Sequence, residues 1–222
     1  MKPLLIFDVN ETLLRVDALQ PEFSQLFGDP HVLKEWFDAV VLYSQTATLI
    51  DNYEDFSTLA EQALDMVAAA KEVVIDDEDK RGILQRMLSL PAHPEVPAAL
   101  EGLHVAGFRL VALTNSNHKA AESQLTNAGI RHLFERVLSV DAVRKFKPAP
   151  EVYAYAGSEL KATPGEMLLI AAHPWDVQGA MRAGLRGAFI KRSGKSWFSK
   201  TLKPEFTAAN LAELTAHLRA TA

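Results

Sequence analysis

The chain has 222 residues, of which 48% are hydrophobic and 23% are charged, a composition typical of a globular protein with one sizeable core. Its formal charge of −5 at pH 7 argues against a nucleic-acid or anionic-membrane partner. Because it contains no cysteine, a disulfide framework, a thiolate metal site and a cysteine nucleophile are excluded. Its apolar stretches are too short for a signal peptide or a membrane span, so we expect a cytoplasmic protein.

The first part of the chain predicts one strand followed by helices. Residues 4–7 (LLIF) form a continuous apolar run, which is typical of a strand covered on both faces of a sheet. From residue 15 to residue 90, apolar residues recur at spacings of three and four, as in amphipathic helices. Prolines at positions 91, 94 and 97 then interrupt the chain. We therefore expect an all-helical segment directly after the first strand.

The second part of the chain alternates between strand and helix patterns. Apolar runs predict strands at 108–113, 136–140, 167–171 and 187–190. Helical spacing predicts helices at 117–128, 150–160, 174–183 and 208–220. This alternation implies right-handed crossovers and a doubly wound parallel sheet. The predicted fold is an α/β core of residues 1–14 and 91–222, with an all-helical cap of residues 15–90 inserted after the first strand.

Polar residues accompany four of the predicted strands, in the stretches FDVNET, LTNSN, VRKFKPAPEVY and AAHPWD. Ligands of doubly wound sheets bind beyond the carboxyl ends of the strands, which lie at one edge. We therefore expect six side chains to meet there, those of Asp8, Thr114, Asn115, Lys147, His173 and Asp176. Each stretch alone has an ordinary explanation as a turn, a helix cap or a surface charge. The basic cluster at residues 191–195 is expected to be a solvated loop.

Together these four stretches resemble the signature motifs of the haloacid dehalogenase superfamily, and most closely those of its 2-haloacid dehalogenase type II branch. The resemblance covers almost the whole chain and implies a Rossmann-like core closed by a helical cap. It implies that Asp8 is a nucleophile that forms a covalent ester, which water then hydrolyses. It further implies a small carboxylate substrate and no cofactor, and it is compatible with a cap-mediated homodimer of the kind common in the family.

The residue type at position 10, here Asn10, distinguishes two reactions of this superfamily. Phosphatase members carry Asp at this position to protonate a strongly basic alkoxide, whereas a halide departs without a proton. The fourth motif has Ala172 and His173 where further acids would hold Mg²⁺, so we expect no metal. The sequence therefore favours hydrolytic dehalogenation of short 2-haloalkanoic acids. A phosphatase acting on a small phosphoester and a catalytically inactive binding protein are the alternatives.

Four residues around Asp8 receive roles in this hypothesis. His173, oriented by Glu11, is expected to act as the general base for the attacking water. The alternative is that His173 caps the following helix and Glu11 makes a surface ion pair. Lys147 is expected to keep Asp8 ionised, and Asp176 to orient either that lysine or the water.

The expected substrate-binding residues belong to both parts of the chain. Those of the core are Asn10, Thr12, Thr114, Asn115 and Tyr153, and those of the cap are Arg15, Trp36 and Phe37. Phe37 stands where better-known family members have an arginine that binds the halide or carboxylate, and Arg15 is the candidate replacement. For Trp36, Phe37 and Tyr153, packing in a helix core is the alternative explanation.

Overall fold

A parallel β-sheet forms the centre of the protein, for which a computed structural model describes residues 2–221. Its strands are β1 (Leu4–Phe7), β2 (Leu110–Thr114), β3 (Arg136–Ser139), β4 (Met167–Ala171), β5 (Arg186–Ile190) and β6 (Phe206–Ala208). Their order in the sheet is β3-β2-β1-β4-β5-β6, and every neighbouring pair is parallel. The predicted doubly wound, Rossmann-like fold is confirmed.

The central strand β1 pairs with β2 on one side and β4 on the other. Phe7 at its end lies opposite Ala112 of β2 and Ile170 of β4. All residues of these three strands are buried, which explains why they read as continuous apolar runs. Their carboxyl ends consequently lie side by side, and the segments that follow them are brought together at one edge.

Of the helices that come between β1 and β2 in the chain, the first four form the helical segment. They are α1 (Gln20–Phe27), α2 (Val32–Leu49), α3 (Phe56–Ala70) and α4 (Asp77–Met87). The Asp55 side chain accepts hydrogen bonds from the first backbone N–H groups of α3, and Asp76 does the same for α4. The helical pattern expected between residues 15 and 90 is therefore present.

The helices of the α/β part are α5 (Val96–Val105), α6 (His118–Asn127), α7 (Pro150–Leu160), α8 (Pro174–Arg182) and α9 (Leu211–Ala220). Helix α5 was not predicted, because Pro97 was taken, with Pro91 and Pro94, as an interruption of the chain. Pro97 lies in the first turn of this helix, where a missing N–H leaves no intrahelical bond unmade. Strand β6 was not predicted either, and its last residue, Ala208, was expected to begin α9, which begins at Leu211. A strand of three residues is too short to show a recognisable pattern of apolar and polar residues.

The loop after β1 is held against the segment that returns from α4. The backbone N–H of Arg15 donates to the carbonyl of Pro91, and that of His93 donates to the carbonyl of Leu13. Glu11 lies in this loop with φ at 61°, a left-handed conformation that is uncommon outside glycine. The loop therefore has one defined path, which sets the direction of its side chains. Within residues 2–221, the helices are too short or too polar to cross a membrane.

Candidate active site

Asp8 directly follows β1 and is almost completely buried, with 6% of its surface exposed. Its Oδ2 accepts a hydrogen bond from Thr12 Oγ1 at 2.6 Å and lies 3.0 Å from His173 Nδ1. Its Oδ1 accepts a hydrogen bond from Lys147 Nζ at 2.9 Å. Burial alone would raise the pKa of Asp8, but Lys147, His173 and Thr12 together lower it far below its usual range. The carboxylate is therefore ionised at neutral pH.

Lys147 joins Asp8 to a second buried carboxylate. Its Nζ donates to Asp176 Oδ2 at 2.7 Å, and the other oxygen of Asp176 accepts a hydrogen bond from the Tyr153 hydroxyl at 2.7 Å. Burial would lower the pKa of Lys147, but the carboxylates of Asp176 and Asp8 raise it above the usual value. A buried ammonium ion thus lies between the two carboxylates. Tyr153 holds Asp176, which in turn holds Lys147.

His173 bridges Asp8 and Glu11. Its Nδ1 faces Asp8, as described above, and its Nε2 lies 2.8 Å from Glu11 Oε2. Although burial disfavours the imidazolium, the two carboxylates raise the pKa of His173 to about 9. The free protein therefore carries a protonated His173 at neutral pH. The side chain of His173 accepts no capping hydrogen bond from α8, and its ring lies against those of Phe37 and Trp175.

Glu11 has a second cationic partner that the sequence analysis did not identify. Lys195 Nζ donates to Glu11 Oε2 at 2.7 Å, and only 20% of the lysine side chain is exposed. Its neighbour Arg192 is more deeply buried and donates to the carbonyl of Thr12. Residues 191–195 were expected to be a solvated loop, and this expectation is wrong for Arg192 and Lys195. Both side chains are held against the loop that carries the nucleophile candidate.

Asn10 points its amide into a buried polar network. Its Nδ2 donates to Ser116 Oγ at 3.2 Å, and its Oδ1 accepts from Gln124 Nε2 at 3.0 Å. Gln124 also donates to the carbonyl of Met87 at the end of α4. Both ends of the Asn10 amide therefore contact protein groups other than Asp8. The sequence analysis assigned Asn10 to substrate binding and missed Ser116 and Gln124, although Ser116 belongs to the LTNSN stretch.

Three further polar residues arrange the loops around the site. Thr12 Oγ1, besides donating to Asp8, accepts a hydrogen bond from the backbone N–H of Ala172. Asn115 Oδ1 accepts from the backbone N–H of Lys147 at 3.0 Å. Thr114 Oγ1 accepts from the backbone N–H of Ser116 at 3.1 Å. These contacts connect the motifs to one another, as their convergence at one sheet edge requires.

The aromatic and basic residues expected from the helical segment lie in different environments. Trp36 is fully buried, donates its ring N–H to the carbonyl of Ala60 and contacts Phe23, so its contacts are those of a core residue. The ring centre of Phe37 lies 6.5 Å from that of His173. Arg15 is 41% exposed and pairs with Asp17 through two hydrogen bonds of 3.1 Å.

A cavity of about 300 Å³ opens between the helical segment and the α/β part. Its wall includes Glu11, Phe37 and Lys195, together with Arg15 and Lys34. Glu11 and Phe37 both contact His173, which in turn contacts Asp8. Asp8 and His173 themselves do not line this cavity, which is separated from them by Glu11 and Phe37.

The acidic and imidazole side chains of this site are paired with one another or with lysines and are not arranged around a metal position. Among residues 2–221, no three His, Cys, Asp or Glu side chains are grouped so as to hold a metal ion. The Asp8 and Asp176 carboxylates, which would be the obvious oxygen ligands, both accept hydrogen bonds from Lys147.

The family model for haloacid dehalogenase-like hydrolases matches residues 3–184. The chain belongs to this family. Over 212 residues, the hydrolase is 27% identical to (S)-2-haloacid dehalogenase 2 of Pseudomonas sp. strain CBS-3. The aligned region covers 95% of this chain and 93% of the relative. It is also 27% identical over 202 residues to haloacetate dehalogenase H-2 of Moraxella sp. strain B, with 91% and 88% coverage. The resemblance drawn from the motifs is thus confirmed.

Solved structures show the same fold for the hydrolase. The L-2-haloacid dehalogenase of Xanthobacter autotrophicus with chloropropionic acid covalently bound is 24% identical and superimposes with a TM-score of 0.93 over all of both chains. A further L-2-haloacid dehalogenase is 26% identical, with a TM-score of 0.94 over 98% of this hydrolase and 99% of that chain.

Proposed function

We propose that this hydrolase removes halide from short 2-haloalkanoic acids through a covalent ester on Asp8. The observation that carries the proposal is the arrangement of Asp8, a buried and ionised carboxylate held by Lys147, with the amide of Asn10 two residues later. Asp8 supplies a nucleophile, whereas the amide of Asn10 cannot protonate a basic leaving group. The relatives named as haloacid and haloacetate dehalogenases support this reaction, as does the covalently bound chloropropionic acid in a protein of the same fold.

In the first step, a carboxylate oxygen of Asp8 attacks the carbon that bears the halogen. A carbon–oxygen bond forms while the carbon–halogen bond breaks, and the halide leaves with the electron pair. No proton is needed, because a halide is a very weak base. Lys147 and Thr12 hold the carboxylate in one orientation and keep it ionised before the attack.

Ester formation changes the charge that His173 experiences. Asp8 loses its negative charge as an ester, so one of the two carboxylates that raise the His173 pKa is removed. The pKa then falls toward neutrality, and the imidazolium releases a proton to solvent. Glu11 retains the proton on Nε2, which leaves Nδ1 on the Asp8 side as the acceptor.

In the second step, water attacks the carbonyl carbon of the Asp8 ester and gives its proton to His173. The second proton of the water passes to the alkoxide oxygen as the ester C–O bond breaks, so the 2-hydroxy acid departs and both the Asp8 carboxylate and the His173 imidazolium are restored. The sum of the two steps consumes the haloacid and one water and releases the hydroxy acid, the halide and one proton. This sequence makes His173 a base only while the ester exists.

The helical segment of residues 15–90 serves as the cap over the core of residues 1–14 and 91–222. Phe37 of α2 is the contact that supports this role, since its ring packs beside His173 at the inner end of the cavity. It provides an apolar wall for the short alkyl chain of the substrate. Asp8 is 6% exposed, so cap closure also keeps bulk water from the ester.

A halide-release screen tests the proposed function. The purified protein is incubated with chloro-, bromo- and fluoroacetate and with both enantiomers of 2-chloropropionate, each with and without EDTA. We expect release of chloride or bromide that EDTA does not reduce. No halide from any of these acids, combined with Mg²⁺-dependent phosphate release from p-nitrophenyl phosphate, would favour the phosphatase alternative.

Asn10→Asp is expected to leave phosphatase activity at background level. The new carboxylate would face Ser116 and Gln124, whereas Lys147 would still lie between Asp8 and Asp176, where a cation would be needed. The measurement is phosphate release from p-nitrophenyl phosphate in the presence of Mg²⁺. Asn52→Asp, at an exposed position, is the matched control. A Mg²⁺-dependent rate about tenfold or more above that of both the control and the unmodified protein would contradict the argument that Lys147, by pairing with Asp8 and Asp176, leaves no place for the cation.

A further inference from the structure

We infer that Lys195, in the loop between β5 and β6, is a positioning residue for hydrolysis of the ester, because it holds the carboxylate that orients His173. The inference rests on the proposed function and adds a third member to the pair of His173 and Glu11. Lys195 Nζ and His173 Nε2 contact the same oxygen of Glu11, at 2.7 Å and 2.8 Å. Glu11 is therefore held between two cations.

The position of Lys195 is determined by the protein and not by solvent. Its side chain is 20% exposed and that of Glu11 is 24% exposed, so the pair is more protected from water than a surface ion pair. The Lys195 backbone N–H donates to the carbonyl of Arg192 at 2.9 Å. Arg192 in turn donates to the carbonyl of Thr12 at 2.8 Å and to Glu95 at 2.6 Å. The loop is thereby attached to the segment that carries Asp8 and Glu11.

Negative and positive side chains alternate along a row that runs from Asp8 through His173 and Glu11 to Lys195. When Asp8 becomes an ester, Glu11 alone faces the imidazolium. Because Lys195 shares the Glu11 carboxylate, it weakens the stabilisation of the His173 proton and favours the neutral base. Without Lys195, the full negative charge of Glu11 would favour the protonated ring, which cannot accept a proton from water.

Other charged groups surround this row, and their positions define the controls. Lys147 and Asp176 lie behind Asp8. Lys34 lines the same cavity as Glu11 but pairs with Asp38. His93 contacts the backbone carbonyl of Glu11 at 3.2 Å, on the side of the returning segment. Of these groups, Lys195 is the one whose cation contacts the Glu11 carboxylate together with His173.

The test compares Lys195→Met, Lys195→Arg and, as a control, Lys200→Met, which removes an exposed charge from the same loop. The probe is (S)-2-chloropropionate, and three quantities are measured for each variant. They are chloride released in the first turnover, the intact-protein mass during turnover, and the pH dependence of kcat. Far-UV circular dichroism verifies the fold of each variant.

For Lys195→Met we expect kcat to fall about tenfold, a part of the roughly 10²–10⁴ that a complete general base supplies. The ester on Asp8 should accumulate, while chloride release in the first turnover stays close to normal. The acid limb of the kcat profile should move to higher pH by up to about one unit, because loss of a cation raises the His173 pKa. Lys195→Arg should restore most of the rate, and Lys200→Met should match the unmodified protein.

Two results would overturn the inference. The first is a Lys195→Met variant with unchanged kcat, pH profile and ester mass. The second is a raised KM at unchanged kcat, which would make Lys195 a ligand of the substrate carboxylate instead. Failure of the proposed function would look different, because the unmodified protein itself would then release no chloride and form no adduct on Asp8.

Discussion

Replacement of Asp8 by Asn is expected to abolish halide release, with kcat lowered by about four orders of magnitude or more. Asn has nearly the same shape as Asp, and its amide oxygen can still accept the hydrogen bond from Thr12 or Lys147. Its neutral oxygen is a poor nucleophile, so the ester does not form. The measurement is chloride release from (S)-2-chloropropionate, together with the intact-protein mass after incubation.

Asp65→Asn is the matched control, since it makes the same chemical change at a side chain that is 57% exposed. It should release chloride at the normal rate and acquire the adduct. Substantial halide release by a folded Asp8→Asn variant would show that Asp8 is not the nucleophile. Such a result would also remove the reason to assign His173 to a second step.

Replacement of His173 by Ala is expected to separate the two chemical steps. Lys147 and Thr12 still hold Asp8, so the ester forms, but the water lacks its base and kcat falls by roughly 10²–10⁴. The protein should release about one chloride per molecule in a burst and then stall, as an accumulating ester requires. Mass spectrometry should find the carboxyalkyl group of the substrate, without its halogen, on the peptide that contains Asp8.

Glu11→Gln should act in the same direction, because a neutral amide cannot hold the Nε2 proton of His173 as firmly as a carboxylate does. His132→Ala, at an exposed position, is the control for removal of an imidazole and should behave normally. If neither His173→Ala nor Glu11→Gln traps an adduct and both turn over at the normal rate, the two residues do not activate the water.

The convergence of the motifs was predictable because each strand of a parallel sheet can be recognised from its own short stretch of sequence. Continuous apolar runs identify β1, β2 and β4, and parallel pairing places their carboxyl ends at one edge. From that geometry alone, Asp8 and Asp176 were expected near Lys147, and the observed distances of 2.9 Å and 2.7 Å agree. The neighbouring positions of β1 and β4 likewise brought Glu11 to His173.

Other parts of the site depend on contacts that leave no local pattern. Lys195 meets Glu11 across 184 positions of the chain, and a lysine in an irregular loop has no period from which its partner follows. Trp36 and Phe37 are adjacent on α2 and both apolar, yet one packs in the helical segment and the other reaches His173. Helical spacing alone does not distinguish a core residue from one that lines a site.

The hydrogen bonds of Asn10 have a consequence for the divergence of enzymes within this fold. Its amide joins the nucleophile loop to Ser116 and Gln124, and Gln124 continues to the last turn of α4. An acid at position 10 would face the same two side chains, so the change that the proposed chemistry makes decisive would also alter how the first loop is attached to the helical segment. The acid would therefore call for compensating substitutions at positions 116 and 124.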